Sequence, residues 1–464
     1  MACVIASPSS NSGKTILSIM LASWARKKNL NIQSFKVGPD YLDTQILTKI
    51  SSNPCRNLDL ILCGKEWVKD SFHGYGGDAD LAFIEGVMGL YDGIGSSSQG
   101  STAQTAKVLG LPIVLIVEAK GQAASLAALI KGFKEFNKDI NIAGVVLNKV
   151  NSFRHKYLLE EVLEGIGIKI FGCLPENEAL KVESQSLGLI PASQIIDIEN
   201  KIDTWAKVAE EYLDLKSFKG LLKPPEKSRP PIVKLLESKE ISPNAKKLPI
   251  AIANDQAFHF KYKETEELLE ALGMPVVYWS PLKDEKIPNK CKGLILPGGF
   301  PENFAEELSR CKQSINSIRD FYLKKPIYAE CGGMLFLGHS ITNRERETYK
   351  LAGLLPFHAR EGKLKVGYKE IKCLKESPVV EKGMRYIGHE FHRWEIVNKH
   401  KNSYIVENGE SKTENIWELN GYYTETINEG FCNKRLHASW VHLHWGSSAI
   451  ILHKWRKSIA EAVI

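Results

Sequence analysis

The sequence predicts an α/β protein made of two doubly wound domains, each a largely parallel sheet with helices on both faces. Three observations carry that expectation. Short β-branched runs alternate with helical stretches from Ala2 to about Pro175, and a second such series begins at Leu248. Between Lys216 and Lys247 the composition shifts to Lys, Pro and Ser, with Pro224-Pro225 and Pro230-Pro231 disfavouring helix. At 464 residues the chain exceeds what one ordinary core accommodates. The expected division is therefore a domain over 1–215, a linker over 216–247 and a domain over 248–464.

In the first half the strand candidates are Cys3–Ala6, Gln33–Val37, Leu81–Glu85, Ile113–Val117, Ile142–Leu147 and Ile168–Cys173. In the second they are Pro249–Ala253, Val276–Tyr278, Gly293–Leu296 and Pro326–Ala329. No internal repeat relates the halves.

Composition narrows the class. With 43% hydrophobic and 25% charged residues the chain reads as a soluble globular protein. A net charge of +7, with acids interspersed, suits small anionic substrates as readily as nucleic acid, but no basic arm or Arg-rich stripe appears and no nucleic-acid partner is expected. The nine scattered cysteines include no C-x-x-C pair, which fits reduced thiols in the cytoplasm and argues against structural zinc. No apolar run reaches about 20 residues and no basic leader precedes the first strand, so neither membrane nor export is expected. Self-association is left open.

The first strand runs into Ser7-Pro8-Ser9-Ser10-Asn11-Ser12-Gly13-Lys14-Thr15 and then the helical stretch Ile16–Trp24. In a strand–loop–helix setting this is a Walker A phosphate loop, with Ser12, Gly13, Lys14 and Thr15 binding ATP and Thr15 holding Mg²⁺. Pro8 stands where the first glycine of the pattern usually falls. A Ser-rich turn capping an ordinary helix through Ser10 or Ser12 is the plainer alternative. Glu85 closes a buried strand ahead of Gly86-Val87-Met88-Gly89-Leu90-Tyr91-Asp92-Gly93, where open α/β sheets place ligands, and is expected to partner Mg²⁺ directly or through an intervening group, a turn-capping carboxylate being the plainer alternative. Asn148-Lys149 resembles a nucleotide-base-reading turn, but Asn151 replaces the guanine-reading Asp, which favours ATP. In Lys36-Val37-Gly38-Pro39-Asp40-Tyr41-Leu42-Asp43 two acids flank an aromatic just after a strand; such a cluster binds metal or moves a proton, and turn chemistry alone also explains it.

The second half carries a different chemistry. Pro326–Glu330 breaks abruptly into Cys331-Gly332-Gly333-Met334, the pattern of a nucleophile elbow. The Pro297-Gly298-Gly299-Phe300-Pro301-Glu302 turn supplies a second glycine pair, so Gly299 and Gly332 are the oxyanion-hole candidates. A thiol needs a base, and His442 and His444 of His437–Trp445 are the candidates, expected on one face of a strand. Gly388-His389-Glu390-Phe391-His392 lacks the H-E-x-x-H spacing of a zinc helix and reads as a β-like segment with a structural or interdomain role.

These motifs occur together in one order, along with Arg56-Asn57-Leu58-Asp59, and across essentially the whole chain they resemble the cobyrinic acid a,c-diamide synthase family. The first half is similar to dethiobiotin-synthetase-type P-loop ATPases and the second to class I glutamine amidotransferases. The resemblance implies a glutamine-hydrolysing carbon–nitrogen ligase of cobalamin biosynthesis. Its partners would be ATP, Mg²⁺, L-glutamine and a cobyrinic acid-type tetrapyrrole, amidated through acyl phosphates. It implies that Cys331 is the glutaminase nucleophile activated by His442. It also implies that Asp40, Tyr41, Leu42, Asp43, Glu85 and Asp92 line the synthetase site, with the three aspartates handling ammonia.

Departures are Ser7 and Asn11 at loop glycines usual in the family, Gln185-Ser186 in place of its Arg-His, and His444 in place of the usual glutaminase Glu two residues after the histidine. The base is therefore expected to work as a dyad, with His444 as a stand-in orienting partner. Rival readings are the same reaction on hydrogenobyrinic acid or nickel sirohydrochlorin, a cobyric acid synthase, or a partition-type ATPase switch. The last would need its signature Lys at Ser9 and would have no use for Cys331.

Overall fold

The computed structural model describes residues 1–182, 184–185, 188–237, 247–399 and 413–462. The chain forms two compact units, Met1–Pro231 and Ile232–Ile464.

In the first unit seven strands, β1 (Cys3–Ala6), β2 (Ile32–Val37), β3 (Arg56–Leu58), β4 (Leu81–Glu85), β5 (Ile113–Glu118), β6 (Ile142–Asn148) and β7 (Ile170–Cys173), form one parallel sheet ordered β3-β2-β4-β1-β5-β6-β7. Side chains alternate across it: Cys3 and Ile5 of β1 enter one apolar core, Val4 and Ala6 the other. With both faces covered, β1 has no polar side chain, as its sequence foretold. Helices α1 (Lys14–Lys27) and α2 (Leu42–Ser51) follow β1 and β2, so their N-termini lie at the carboxyl edge of the sheet. A short hairpin, β8 (Ser184–Gln185) and β9 (Gly188–Leu189), holds Gln185 of the departing pair; Ser186 lies outside the described residues.

The stretch expected to lack helix does not. Leu215–Leu221 and Pro231–Glu237 are helical. Asp214 caps the former by accepting from Ser217 N (3.0 Å), and Phe218 and Leu222, four apart, sink fully into the first unit's core. That local apolar spacing outweighs the Lys/Pro composition. Residues 238–246 of this stretch lie outside the described residues.

The second unit holds two sheets, one more than expected. The first contains β10 (Ile250–Ala253), β11 (Val276–Trp279), β12 (Gly293–Leu296) and β13 (Ile327–Glu330). The second contains β14 (Ser340–Thr342), β15 (Thr348–Lys350), β16 (Phe357–Cys373), β17 (Arg385–Lys399), β18 (Trp417–Gly421) and β19 (Ile427–Glu429), antiparallel except for the β14–β16 pair. Strands β20 (Phe431–Asn433) and β21 (Leu436–Ser439) return to the first sheet, ordered β11-β10-β12-β13-β21-β20 and parallel apart from β20. No described helix is long and apolar enough to cross a membrane.

Candidate functional sites

In the first unit the loop after β1 wraps the Lys14 ammonium. Lys14 Nζ donates to Met88 O (2.6 Å), Ser7 Oγ (2.8 Å) and Ser9 O (3.4 Å). Burial, with Lys36 adding repulsion, lowers its pKa to about 8. Neither Ser10 nor Ser12 caps α1. The N-cap is Gly13 at φ 112°, with no side-chain cap, and the Ser12 hydroxyl bonds back to Ser9 instead. The first N–H groups of α1 are thus left for an anion. A Cβ on Gly13 would meet Asn148 Nδ2 at 2.6 Å, and that amide donates to Ser12 O (3.0 Å). Asn148 here braces the phosphate loop.

Behind the loop lies a buried charge cluster. Thr15 Oγ1 donates to Glu85 Oε1 (2.6 Å) and lies 3.4 Å from Asp43 Oδ2. Lys36, passed over as a motif letter in the sequence, donates to Asp43 Oδ2 (2.5 Å), Glu85 Oε1 (2.8 Å) and Gly86 O (3.1 Å). Against the pull of burial, Asp43 and Glu85 hold Lys36 well above the ordinary lysine value. Burial pushes the Glu85 carboxyl up, and its Oε2 has no protein partner. The set of one hydroxyl and two carboxylates consists of hard oxygen donors, and that orphaned oxygen leaves a coordination position open, so the residues fit Mg²⁺.

The acid pair is arranged by its neighbours. Asp40 Oδ1 accepts from Leu42 N and Asp43 N (both 2.9 Å), starting α2, while Asn57 donates to Gly38 O and Asp40 O (both 2.8 Å). The Arg56–Asp59 motif is therefore the brace of this turn. Asp40 is half-buried, and burial followed by repulsion from Asp43 lifts its carboxyl to about 7. Tyr41 and Leu42 are buried beside it. Asp92 is exposed and accepts from Gly89 N (2.9 Å), closing the turn that presents Met88 O to Lys14.

In the second unit β13 ends at Glu330, and Cys331 takes φ 46°, ψ −108° before the helix Gly332–Leu337. A non-glycine residue in so strained a position marks an elbow. Cys331 N donates to Ser439 O (2.7 Å), tying the elbow to the end of β21. The glycines are required. A Cβ on Gly333 would lie 2.1 Å from Leu296 O, and one on Gly332 would meet Gly299 O at 3.0 Å and Gly299 N at 3.1 Å. Gly299 itself has φ 150°. The two glycine turns foreseen as an oxyanion hole are thus in contact. Burial first, and then the Glu302 carboxylate, push the Cys331 thiol well above its ordinary range.

His442 is fully buried, but it is not on a strand. β21 stops at Ser439, and His442 makes only a bridge to His389, with N–H···O bonds of 2.8 and 3.0 Å. The shared strand face expected for His442 and His444 does not exist. The His444 ring sits 4.7 Å from that of Tyr262. Facing His442 Nδ1 instead is Glu330 Oε2, at 3.2 Å. On the other edge of the imidazole, a Cβ on Gly298 would lie 2.6 Å from Cε1 and 3.5 Å from Nε2.

The Gly388–His392 segment lies on β17 and forms a wall of this site. Phe391 O is 3.7 Å from Cys331 Sγ, His392 stacks on Trp440 at 4.1 Å, and a Cβ on Gly388 would strike Val441 Cγ1 at 2.2 Å. Glu330 and Lys36 escaped the sequence reading although each sits inside a motif it quoted. The signal was a charged side chain within a strand that is buried throughout.

Comparison with known proteins agrees with this division. Residues 3–189 match the CobQ/CobB/MinD/ParA nucleotide binding domain, and residues 249–450 match the CobB/CobQ-like glutamine amidotransferase domain. A nucleotide-binding domain joined to a glutamine amidotransferase domain makes the chain a glutamine-hydrolysing ligase. A cobyrinate a,c-diamide synthase of Caldanaerobacter subterraneus is 38% identical, covering 95% of this chain and 94% of its own; one from Synechococcus is 34% identical, covering 100% and 99%. A hydrogenobyrinate a,c-diamide synthase of Streptomyces coelicolor is 35% identical, covering 96% and 94%. The chain belongs to the cobyrinate a,c-diamide synthase family.

Proposed function

We propose that the protein amidates the a and c carboxylates of cobyrinic acid in cobalamin biosynthesis, in the cytoplasm, spending ATP and taking ammonia from glutamine. One conjunction supports the reading most. A phosphate loop before a buried lysine–carboxylate set, and a cysteine elbow together with a buried histidine braced by Glu330, occur in one chain, matched nearly end to end by a,c-diamide synthases.

A carboxylate is a poor acyl donor, so activation comes first. A substrate carboxylate oxygen attacks the γ-phosphorus of ATP, ADP leaves, and an acyl phosphate forms. Lys14 and the uncapped N–H groups of α1 stabilise the transferring charge. Thr15, Glu85 and Asp43 would hold Mg²⁺, which when bound supplies positive charge to the phosphate oxygens. Lys36 keeps Asp43 and Glu85 in place. Asn148 steadies the loop under the nucleotide.

In the glutaminase unit His442 takes the Cys331 proton, and the thiolate attacks the carboxamide carbon of glutamine. The N–H groups of Gly299 and Gly332 face the developing oxyanion. Ammonia leaves with the proton returned by His442, and water then hydrolyses the thioester to glutamate. Ammonia attacks the acyl phosphate, phosphate departs, and one of Asp40, Asp43 and Asp92, beside Tyr41 and Leu42, takes the surplus proton. Two amides need two rounds.

The test is glutamine-dependent phosphate release by purified protein with cobyrinic acid and with hydrogenobyrinic acid, with the products weighed by mass spectrometry. A diamide from cobyrinic acid supports the proposal. A diamide from hydrogenobyrinic acid alone corrects the substrate, and phosphate release independent of any tetrapyrrole removes it.

A further inference from the structure

The sequence offers His444 as the orienting partner of His442, by its spacing of two residues. We infer that Glu330, the residue immediately before the nucleophile, is the positioning carboxylate for His442 and that His444 is not. The inference rests on the glutaminase reading above.

Glu330 is the last residue of β13, and all four residues of that strand are buried. A carboxylate so placed must be satisfied by hydrogen bonds. Its Oε1 accepts from Leu443 N (3.0 Å) and from the Tyr328 hydroxyl, and its Oε2 faces His442 Nδ1 at 3.2 Å. The backbone of Leu443 and the side chain of His442 are thus gripped by one carboxylate, which fixes both the position and the rotation of the ring. An acceptor at Nδ1 holds the proton there and leaves the Nε2 lone pair for the thiol. That edge of the ring lies against Gly298, in the same glycine turn that touches Gly332 beside Cys331. The nucleophile and its base are therefore set from one point of the chain. Cys331 leaves β13 in a strained turn, and the residue before it reaches across to the histidine arm. His444 instead packs on the Tyr262 ring, and burial lowers its affinity for a proton.

Because the thiol is pushed well above its ordinary range, the pair depends on a correctly held base. Glu330→Gln keeps shape and volume and leaves an oxygen able to accept from Tyr328 and Leu443, but removes the charge and disturbs the tautomer. Glutamine hydrolysis by Glu330→Gln should fall about 10²-fold in kcat, no more than for loss of His442 itself, with KM nearly unchanged, and the deficit should shrink as pH rises. A positioning residue acts through its partner, so Glu330→Gln placed on a His442→Ala background should change the residual rate by less than about threefold. His444→Ala should cost far less than Glu330→Gln. Melting temperature and ammonia-driven synthesis report that the variants are folded. The inference is overturned if Glu330→Gln hydrolyses glutamine within about threefold of the parent, or if the full loss persists without His442, which would make Glu330 merely structural. If Cys331→Ser still hydrolyses glutamine, the glutaminase reading itself fails, a result distinct from either of these.

Discussion

The two units solve the same geometric problem with opposite electrostatics. In each, a buried strand ends in a glycine-bearing loop that opens a helix. In the first unit the loop closes around cations, with Lys14 and Lys36 set among Asp40, Asp43 and Glu85. In the second, burial together with Glu302 resists ionisation of the Cys331 thiol. A phosphoryl group arrives charged, so a site prepared in advance with fixed charge stabilises it directly. Glutamine's carboxamide arrives neutral. There a standing thiolate would be costly in a dry pocket, and the charge is made only when the base and oxyanion donors can share it.

That contrast can be broken variant by variant. The largest effect expected is for Cys331→Ser, which should lower glutamine-dependent synthesis at least about 10⁴-fold while ammonia-driven synthesis stays near parental, read as phosphate release with each nitrogen source. Loss of both would show that the units are not separable in function. Lys14→Ala comes next, at about 10³-fold or more on both nitrogen routes in the same assay. Ammonia-driven synthesis retained in that variant would remove Lys14 from phosphoryl transfer.

His442→Ala should lower glutamine hydrolysis about 10²–10³-fold, and His444→Ala much less. The pH profile sharpens this. With the base gone the rate follows thiolate, whose fraction rises tenfold per pH unit below the thiol pKa. A free thiol near 8.5 would level off by pH 9, but the Cys331 thiol is raised well beyond that, so the variant's rate should still be climbing at pH 9.5. A profile half-maximal near pH 8.5 would contradict the burial argument. Smallest is Gly388→Ala, whose methyl would meet Val441 Cγ1 at 2.2 Å. It should cost about 1–3 kcal/mol in thermal unfolding and several-fold in glutamine hydrolysis, with ammonia-driven synthesis spared. An unchanged melting temperature would mean that β17 shifts freely over the site.

Sequence reading succeeded where side chains repeat a single physical signal. Val4-Ile5 and Leu294-Ile295-Leu296 are apolar on both faces, as only a covered parallel strand can be. The loop around Gly13 and the elbow at Cys331 were legible because glycine needs a backbone reason. Apart from the Gly388–His392 segment of β17, the β14–β19 sheet was missed: β16 carries Lys363, Lys365, Lys369 and Lys372 in 17 residues, and the Leu364 and Val366 that alternate with them are themselves exposed, so no continuous apolar face marks the strand. β3, at three residues including Arg56 and Asn57, is too short to show a period. His444 drew attention by its spacing from His442, whereas the contact at Nδ1 comes from residue 330, a pairing no local pattern encodes.

The bond between Glu330 and His442 spans 112 residues, and β21, which carries the histidine segment, lies inside its sheet between β13 and β20. During synthesis the chain emerges with Cys331 made long before His442, and the six-stranded sheet cannot close until β21 is released. On the proposed roles, the glutaminase centre is therefore completed only once His442 has been made. The phosphate loop, assembled from strands among the first 150 residues, can fold well before any ammonia can be made.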